Sequence, residues 1–318
     1  KYSGIMFYTS HQIVEAYDGD NQEIYAFDFV DSIWGSTPGS TYNFVEINEE
    51  MSQVSIIIKP VYDVVADQDF TFYIGSTYEM YDEIVTGSMP RFVVSLLILI
   101  MSALILIYYA VMHEKQQLSK ELVYLGYFAF FSGLWSINET DLAAIIVNNR
   151  ALDAIVPYIA IMFVVPPFIM FFESYLSFKN KFISRIIIGF SMTQTIILTL
   201  LHFNGIKEFR ETLPLMQLLL IVAVVYTVLG MLIKVVRGQR TRRIEICAVG
   251  LSLFFAAILV DIFSYYTSLG DTDKIGRYEF LIFVVMLAWD MIKDANAIIE
   301  KGRRAKQLEI FELTDSMT

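Results

Sequence analysis

Apolar residues dominate seven stretches between Phe92 and Ile292, each bounded by short polar segments. A hydrocarbon core about 30 Å thick is crossed by roughly 20 apolar residues in helix. The pattern predicts spans over Phe92–Met112, Leu122–Ile137, Ile155–Tyr175, Ile186–Leu201, Leu213–Val236, Ile244–Tyr266 and Tyr278–Ile292. The second, fourth and seventh are short and can extend into flanking residues such as Leu118, His202 or Lys293. Before the spans the pattern changes to short runs rich in Tyr, Phe, Ile and Val, punctuated by polar turns, which reads as strands. The runs are Ile5–Thr9, Gln12–Tyr17, Glu23–Phe29, Tyr42–Ile47, Val54–Ile58 and Phe70–Ile74. Their spacing predicts a β-sandwich over 1–88. Asp18-Gly19-Asp20-Asn21 predicts a hairpin turn, because Gly and Asx residues accept positive φ. After the last span, 290–313 has no proline and is rich in Ala, Ile, Lys, Arg and Glu, so the helix is expected to run on. The domains read as 1–88 (β), 89–292 (a seven-helix transmembrane bundle) and 293–318 (a linker helix).

Charge orients this plan. With the N-terminus outside, inner segments hold 15 of the 23 Lys and Arg, among them Lys179, Lys181, Arg242, Arg243, Arg303 and Arg304. The outer loops hold five, namely Arg150, Lys207, Arg210, Lys274 and Arg277. Basic residues concentrate in short cytoplasmic loops, so an external N-terminus and a cytoplasmic C-terminus are expected. Residues 1–91 carry 15 acids against 3 bases, so the net charge of −11 resides in the outer domain. No basic surface points to nucleic acid. Cys247 is the single cysteine and excludes an intrachain disulfide. The chain opens at Lys1 without an apolar leader. An exported first domain needs such a signal, so a longer natural protein is expected, and the first strand is expected to lack a partner.

Ionisable groups inside spans are costly and face the bundle interior. Asp261 lies near the outer end of the sixth span, Glu279 begins the seventh, and Asn138, Glu139 and Asp141 close the second just after Trp135. Together they can line an outward-facing pocket, or mark helix ends at the water interface. Glu173 and Asp290, near the inner face, are placed to pair with Lys or Arg. Pro166-Pro167 interrupts the third span and offers a kink or hinge. His11 reads as a solvated turn residue, and Gly35–Ser40 as a connection between strands. The acids of 18–20 and 63–69 lack the ordered ligand series of a calcium loop. The seventh span has no mid-membrane lysine for retinal, and Glu173-Ser174-Tyr175 stands where an animal G-protein receptor carries Asp-Arg-Tyr.

Along the tail, Ile298, Ala305 and Glu312 share a heptad position and Leu308 takes a neighbouring seam. The chain then reads Leu313-Thr314-Asp315-Ser316-Met317-Thr318. This resembles the entry to a GGDEF diguanylate cyclase domain. The spans resemble seven-transmembrane receptors with diverse intracellular signalling modules, through Trp135-Ser136-Ile137-Asn138-Glu139-Thr140-Asp141 and the Pro166-Pro167 pair. The resemblance implies a bacterial plasma-membrane sensor that controls cyclic di-GMP synthesis. Its output domains would pair in a homodimer, with GTP and magnesium bound by the cyclase domain and no cofactor in this chain. Ile298, Ala305, Leu308 and Asp315 would then pass the signal, with the proline pair. The ligand, external or from the membrane, is unidentified. A histidine kinase or another output on the same sensor, and a transporter or channel, are the alternatives.

Overall fold

The computed structural model describes residues 3–29, 35–48, 51–116, 119–147, 150–179, 181–267 and 275–315. The chain forms two compact units. The first comprises Lys1–Leu96, Phe131–Pro166 and Arg185–Ala223; the second comprises Leu97–Phe130, Pro167–Ser184 and Val224–Thr318.

In the first unit the strands are β1 (Ser3–Ser10), β2 (Gln12–Asp18), β3 (Glu23–Phe27), β4 (Ser40–Ile47), β5 (Val54–Pro60) and β6 (Tyr73–Gly75). They form two three-stranded antiparallel sheets, in the orders β4-β1-β6 and β3-β2-β5. The expectation that the first strand lacks a partner is corrected. β1 is central, pairing with β4 from Ser3↔Ile47 to Ser10↔Ser40 and with β6 at Gly4↔Gly75. The last strand is shorter and later than expected: Phe72 packs its ring on Phe7 and on Phe70 ahead of the strand. The hairpin turn forms as its residues suggest. Asn21 takes φ 62°, and Asp18 Oδ1 accepts from the Asp20 and Gln22 amides at 3.0 and 2.8 Å. Phe7 and Val45 from one sheet meet Val14, Ala16 and Phe27 from the other in a shared buried core.

The α-helices are α1 (Thr77–Gln116), α2 (Glu121–Asn138), α3 (Asp141–Val147), α4 (Arg150–Tyr175), α5 (Phe182–Phe203), α6 (Phe209–Val236), α7 (Arg242–Thr267) and α8 (Ile275–Asp315). α1 starts well before its apolar stretch, on a reciprocal cap. The Glu79 carboxylate accepts from the Ser76 amide at 3.0 Å, while Ser76 Oγ accepts from the Glu79 amide at 3.3 Å. Its first turns pack Met80 and Ile84 against Met6 of β1, and Tyr81 stacks on Phe44 at 4.5 Å. Helix therefore begins inside 1–88, and that segment is not wholly β.

Among the described residues, four helices are long and apolar enough to cross a membrane: Thr77–Met112, Ile155–Tyr175, Phe182–Phe203 and Phe209–Val236. The expected second, sixth and seventh spans fall on α2, α7 and α8. α2 is diluted by Tyr, Gly, Ser and Trp, and α8 continues into a charged tail. Leu97, Ile100, Leu104 and Ile107 of α1, and Leu218, Ile221, Val225 and Leu229 of α6, are exposed. Rows of exposed aliphatic side chains on long apolar helices suit hydrocarbon rather than water.

In the second unit, Phe171 stacks on Tyr175 at 5.2 Å and Phe172 on Phe283 at 6.4 Å. α7 and α8 approach closely at Gly250, where a Cβ would fall 2.2 Å from the Phe283 ring. Pro166-Pro167 lies within α4, and the two units divide between these residues. Their missing amides leave the carbonyls of Met162 and Phe163 without the usual helical donors.

Candidate functional site

The site belongs to the first unit and starts at the β1–β2 turn. His11 takes φ 61°, and its amide donates to the Gly39 carbonyl at 2.8 Å. The ring is not solvated, contrary to the sequence reading; the residue is only 6 % exposed. Nδ1 lies 2.8 Å from Thr37 Oγ1 and Nε2 lies 3.4 Å from the Tyr158 hydroxyl. Tyr62 closes another side, edge-on at 5.5 Å. Burial first, and the positive charge of Arg210 second, lower the imidazole to about 4. His11 is therefore a neutral hydrogen-bonding group at neutral pH.

The Gly35–Ser40 connection is part of this site. The Ser36 amide donates to Glu208 Oε1 at 2.9 Å, and the Tyr62 hydroxyl donates to Glu208 Oε2. Gly35 is required, because it holds φ 135° and a Cβ there would fall 3.2 Å from the Glu208 carboxylate. With the Glu208 amide donating to Glu211 Oε2 at 2.9 Å, these contacts fix the start of α6. The next turn presents Arg210, Leu213 and Gln217 along one face.

At the α2–α3 junction, Asn138 Nδ2 donates to the Leu134 carbonyl at 2.7 Å and Thr140 Oγ1 to the Ile137 carbonyl at 2.6 Å. Asp141 opens α3, and its Oδ2 accepts from Ser88 Oγ at 2.8 Å and Arg91 Nη2 at 3.0 Å. Trp135, Asn138, Glu139 and Asp141, chosen from the sequence, line one cavity of about 250 Å³. Tyr8 and His11 of the β domain, Tyr158 and Ile161 of α4, and Arg210 and Gln217 of α6 complete the wall. Arg210 Nε is buried and has no hydrogen-bond partner. No carboxylate among the described residues lies within ion-pair distance of that guanidinium.

Glu279 is half-buried on α8 in the second unit and does not line the cavity. Asp261 lies on α7, but its side chain is outside the described residues, as are those of Ile298, Ala305, Leu308 and Asp315 on α8. His11, Tyr158, Arg210 and Gln217 were missed from the sequence. One signal pointed to Arg210: it is a basic residue at a helix end that the distribution of basic residues would place outside.

The second unit contains a charge network. Arg243 Nη1 and Nη2 reach Glu121 at 3.0 Å and Asp294 at 3.1 Å, and its guanidinium lies 4.9 Å from the centroid of the Tyr175 ring. Buried Asp290 pairs with Arg242 at 2.9 Å and accepts from the Tyr175 hydroxyl at 2.8 Å. Glu173 pairs with Lys181 at 3.1 Å. The expected pairing of Glu173 and Asp290 is thus observed. The network ties α2, α4 and α7 to α8. Among the described residues, no group of three or more His, Cys, Asp or Glu is placed to hold a metal.

Residues 91–291 match the family model described as 7TM diverse intracellular signalling. Comparisons with curated proteins and with solved structures gave no match.

Proposed function

The chain belongs to the 7TM diverse intracellular signalling family, and from that premise we propose that it senses a small molecule outside the cell and controls a cytoplasmic diguanylate cyclase. The outer β domain and the cavity are the sensing end, the seven-span bundle is the transducer, and α8 is the output rod. The cyclase domain follows the tail and joins two GTP molecules into cyclic di-GMP in a homodimer, with magnesium and GTP bound there. The 15-to-5 distribution of basic residues supports an external N-terminus.

One observation carries the reading. α8 is a single helix of 41 residues that runs from the last apolar stretch through Leu313-Thr314-Asp315. At 1.5 Å per residue it is about 60 Å long, roughly twice the hydrocarbon thickness. A rod of this kind transmits rotation or translation without an intervening joint. A ligand biases the two positions of the rod only by the difference in its affinity for them.

The experiment changes the phase of the rod in the natural full-length protein. Two residues inserted after Ala305 turn everything downstream by about 200°, while four turn it by about 400°, or 40° net. Cyclic di-GMP is then measured in cells. The two-residue insertion is expected to disturb regulation more than the four-residue insertion. Equal output from all versions argues against helical transmission. No cyclic di-GMP from the full-length protein removes the cyclase, and autophosphorylation in its place assigns the sensor to a kinase.

A further inference from the structure

The cavity in the first unit has a chemistry that narrows its ligand. We infer that it binds a small organic monocarboxylate, with the carboxylate on Arg210 and the carbon body against Trp135 and Tyr158. The inference rests on the reading of this chain as a sensor and adds the ligand class.

Size comes first. About 250 Å³ is below the roughly 300–1,000 Å³ of sites for drug-sized molecules, so the ligand is small.

Charge comes next. Among the described residues, Arg210 carries a buried Nε without a hydrogen-bond acceptor and has no carboxylate within ion-pair distance. Glu208, two residues earlier, is occupied with the Ser36 amide and the Tyr62 hydroxyl. A half-buried guanidinium whose Nε is buried without an acceptor is costly until an anion meets it. Its planar fork matches a carboxylate through two parallel hydrogen bonds. A cation placed against Arg210 is disfavoured by the charge of the guanidinium.

A dianion is disfavoured as well. Glu139 and Asp141 line the same cavity, and Asp141 already holds Arg91 at 3.0 Å. Arg210 offers one positive charge, so a phosphate dianion would bring one more negative charge than it offsets, into a cavity that Glu139 and Asp141 also line.

The rest of the wall suits an apolar or flat body. Trp135, 39 % exposed, lies near the end of α2, and Tyr158, Ile161 and Leu213 adjoin the same space. Gln217 and Asn138 supply neutral polar groups at its edge. The β domain contributes Tyr8 and His11, so a ligand here touches both the outer sheet and the helix ends.

Calorimetry on the purified chain in lipid nanodiscs tests this with three probes that share one ring. Benzoate is the monoanion, benzamide its neutral isostere, and phenylphosphonate the dianion at pH 8. Benzoate is expected to bind, and the other two to bind at least about tenfold more weakly. Arg210→Gln should weaken benzoate by about tenfold to a hundredfold, the range of a charge-assisted hydrogen bond, without lowering the melting temperature. Arg210→Lys should fall between the two. Arg210→Gln should also raise the His11 pKa seen by NMR, which checks that the guanidinium faces the imidazole. Three results overturn the proposal: no benzoate binding, benzamide or phenylphosphonate binding equal to benzoate, or full benzoate affinity in Arg210→Gln. The readout needs no output domain. A full-length protein without cyclic di-GMP would therefore sink the cyclase and leave this result standing.

Discussion

His11 shows what a single buried residue contributes. Its ordinary pKa of 6.5 falls to about 4 in the folded protein, through burial and the charge of Arg210. Between those values the unfolded chain binds more protons, so stability rises with pH. The contribution is fully present above about pH 6.5 and is lost as pH falls towards 4. A gap of this size corresponds to roughly 3 kcal/mol at about 1.4 kcal/mol per pH unit. The groups facing His11 are the Arg210 guanidinium, the Tyr62 and Tyr158 rings and the Thr37 hydroxyl. His11→Asn keeps a residue that tolerates positive φ and removes the titration. Melting temperatures between pH 6.5 and 4.5 should therefore fall less for His11→Asn than for the unaltered protein. Parallel curves would contradict this assignment. At this scale the sequence was partly legible. Trp135, Asn138, Glu139 and Asp141 stood out because polar residues at the end of an apolar run are conspicuous. His11 and Arg210 did not, because they come from distant segments that only the fold brings together.

Among the elements, the α7–α8 contact is the most sharply defined. At Gly250 an added methyl group would collide with the Phe283 ring at 2.2 Å, whereas at Gly189 in α5 nothing lies within 4 Å. Gly250→Ala is therefore expected to destabilise by about 1–3 kcal/mol, the usual cost of overpacking. Gly189→Ala should be neutral or stabilising by up to about 1 kcal/mol, through helix propensity. Unfolding in detergent compares them, and equal effects would remove the close approach. Asp290, with a side chain 3 % exposed, holds both Arg242 and the buried Tyr175 hydroxyl. Asp290→Ala leaves that hydroxyl without its acceptor, at about 2 kcal/mol. Arg242→Ala should also destabilise, because it leaves the buried Asp290 carboxylate without its counter-charge. Unchanged stability in either variant would contradict the geometry. The extents of α4 and α6 were largely legible from apolar run length despite their prolines, and that of α8 from the absence of proline in 290–313. The early start of α1 was not, because Thr77–Met89 is polar enough to read as a loop and is held helical by the Ser76–Glu79 cap and by packing on β1.

For the whole molecule, the central claim is that sensing and output lie on opposite sides of a membrane. Apolar run length and basic-residue distribution gave that plan, since both depend on local composition. The pairing of β1 between β4 and β6 was not legible, because strand order depends on long-range register. Cysteine labelling tests the plan most directly. Cys247 is fully buried, so native labelling is low. Asn204, between α5 and α6, and Gln239, between α6 and α7, are both exposed. With a membrane-impermeant maleimide on intact cells, Asn204→Cys is predicted to label and Gln239→Cys to label only after lysis. Labelling of Gln239→Cys in intact cells, with Asn204→Cys protected, would place α8 outside and contradict the account.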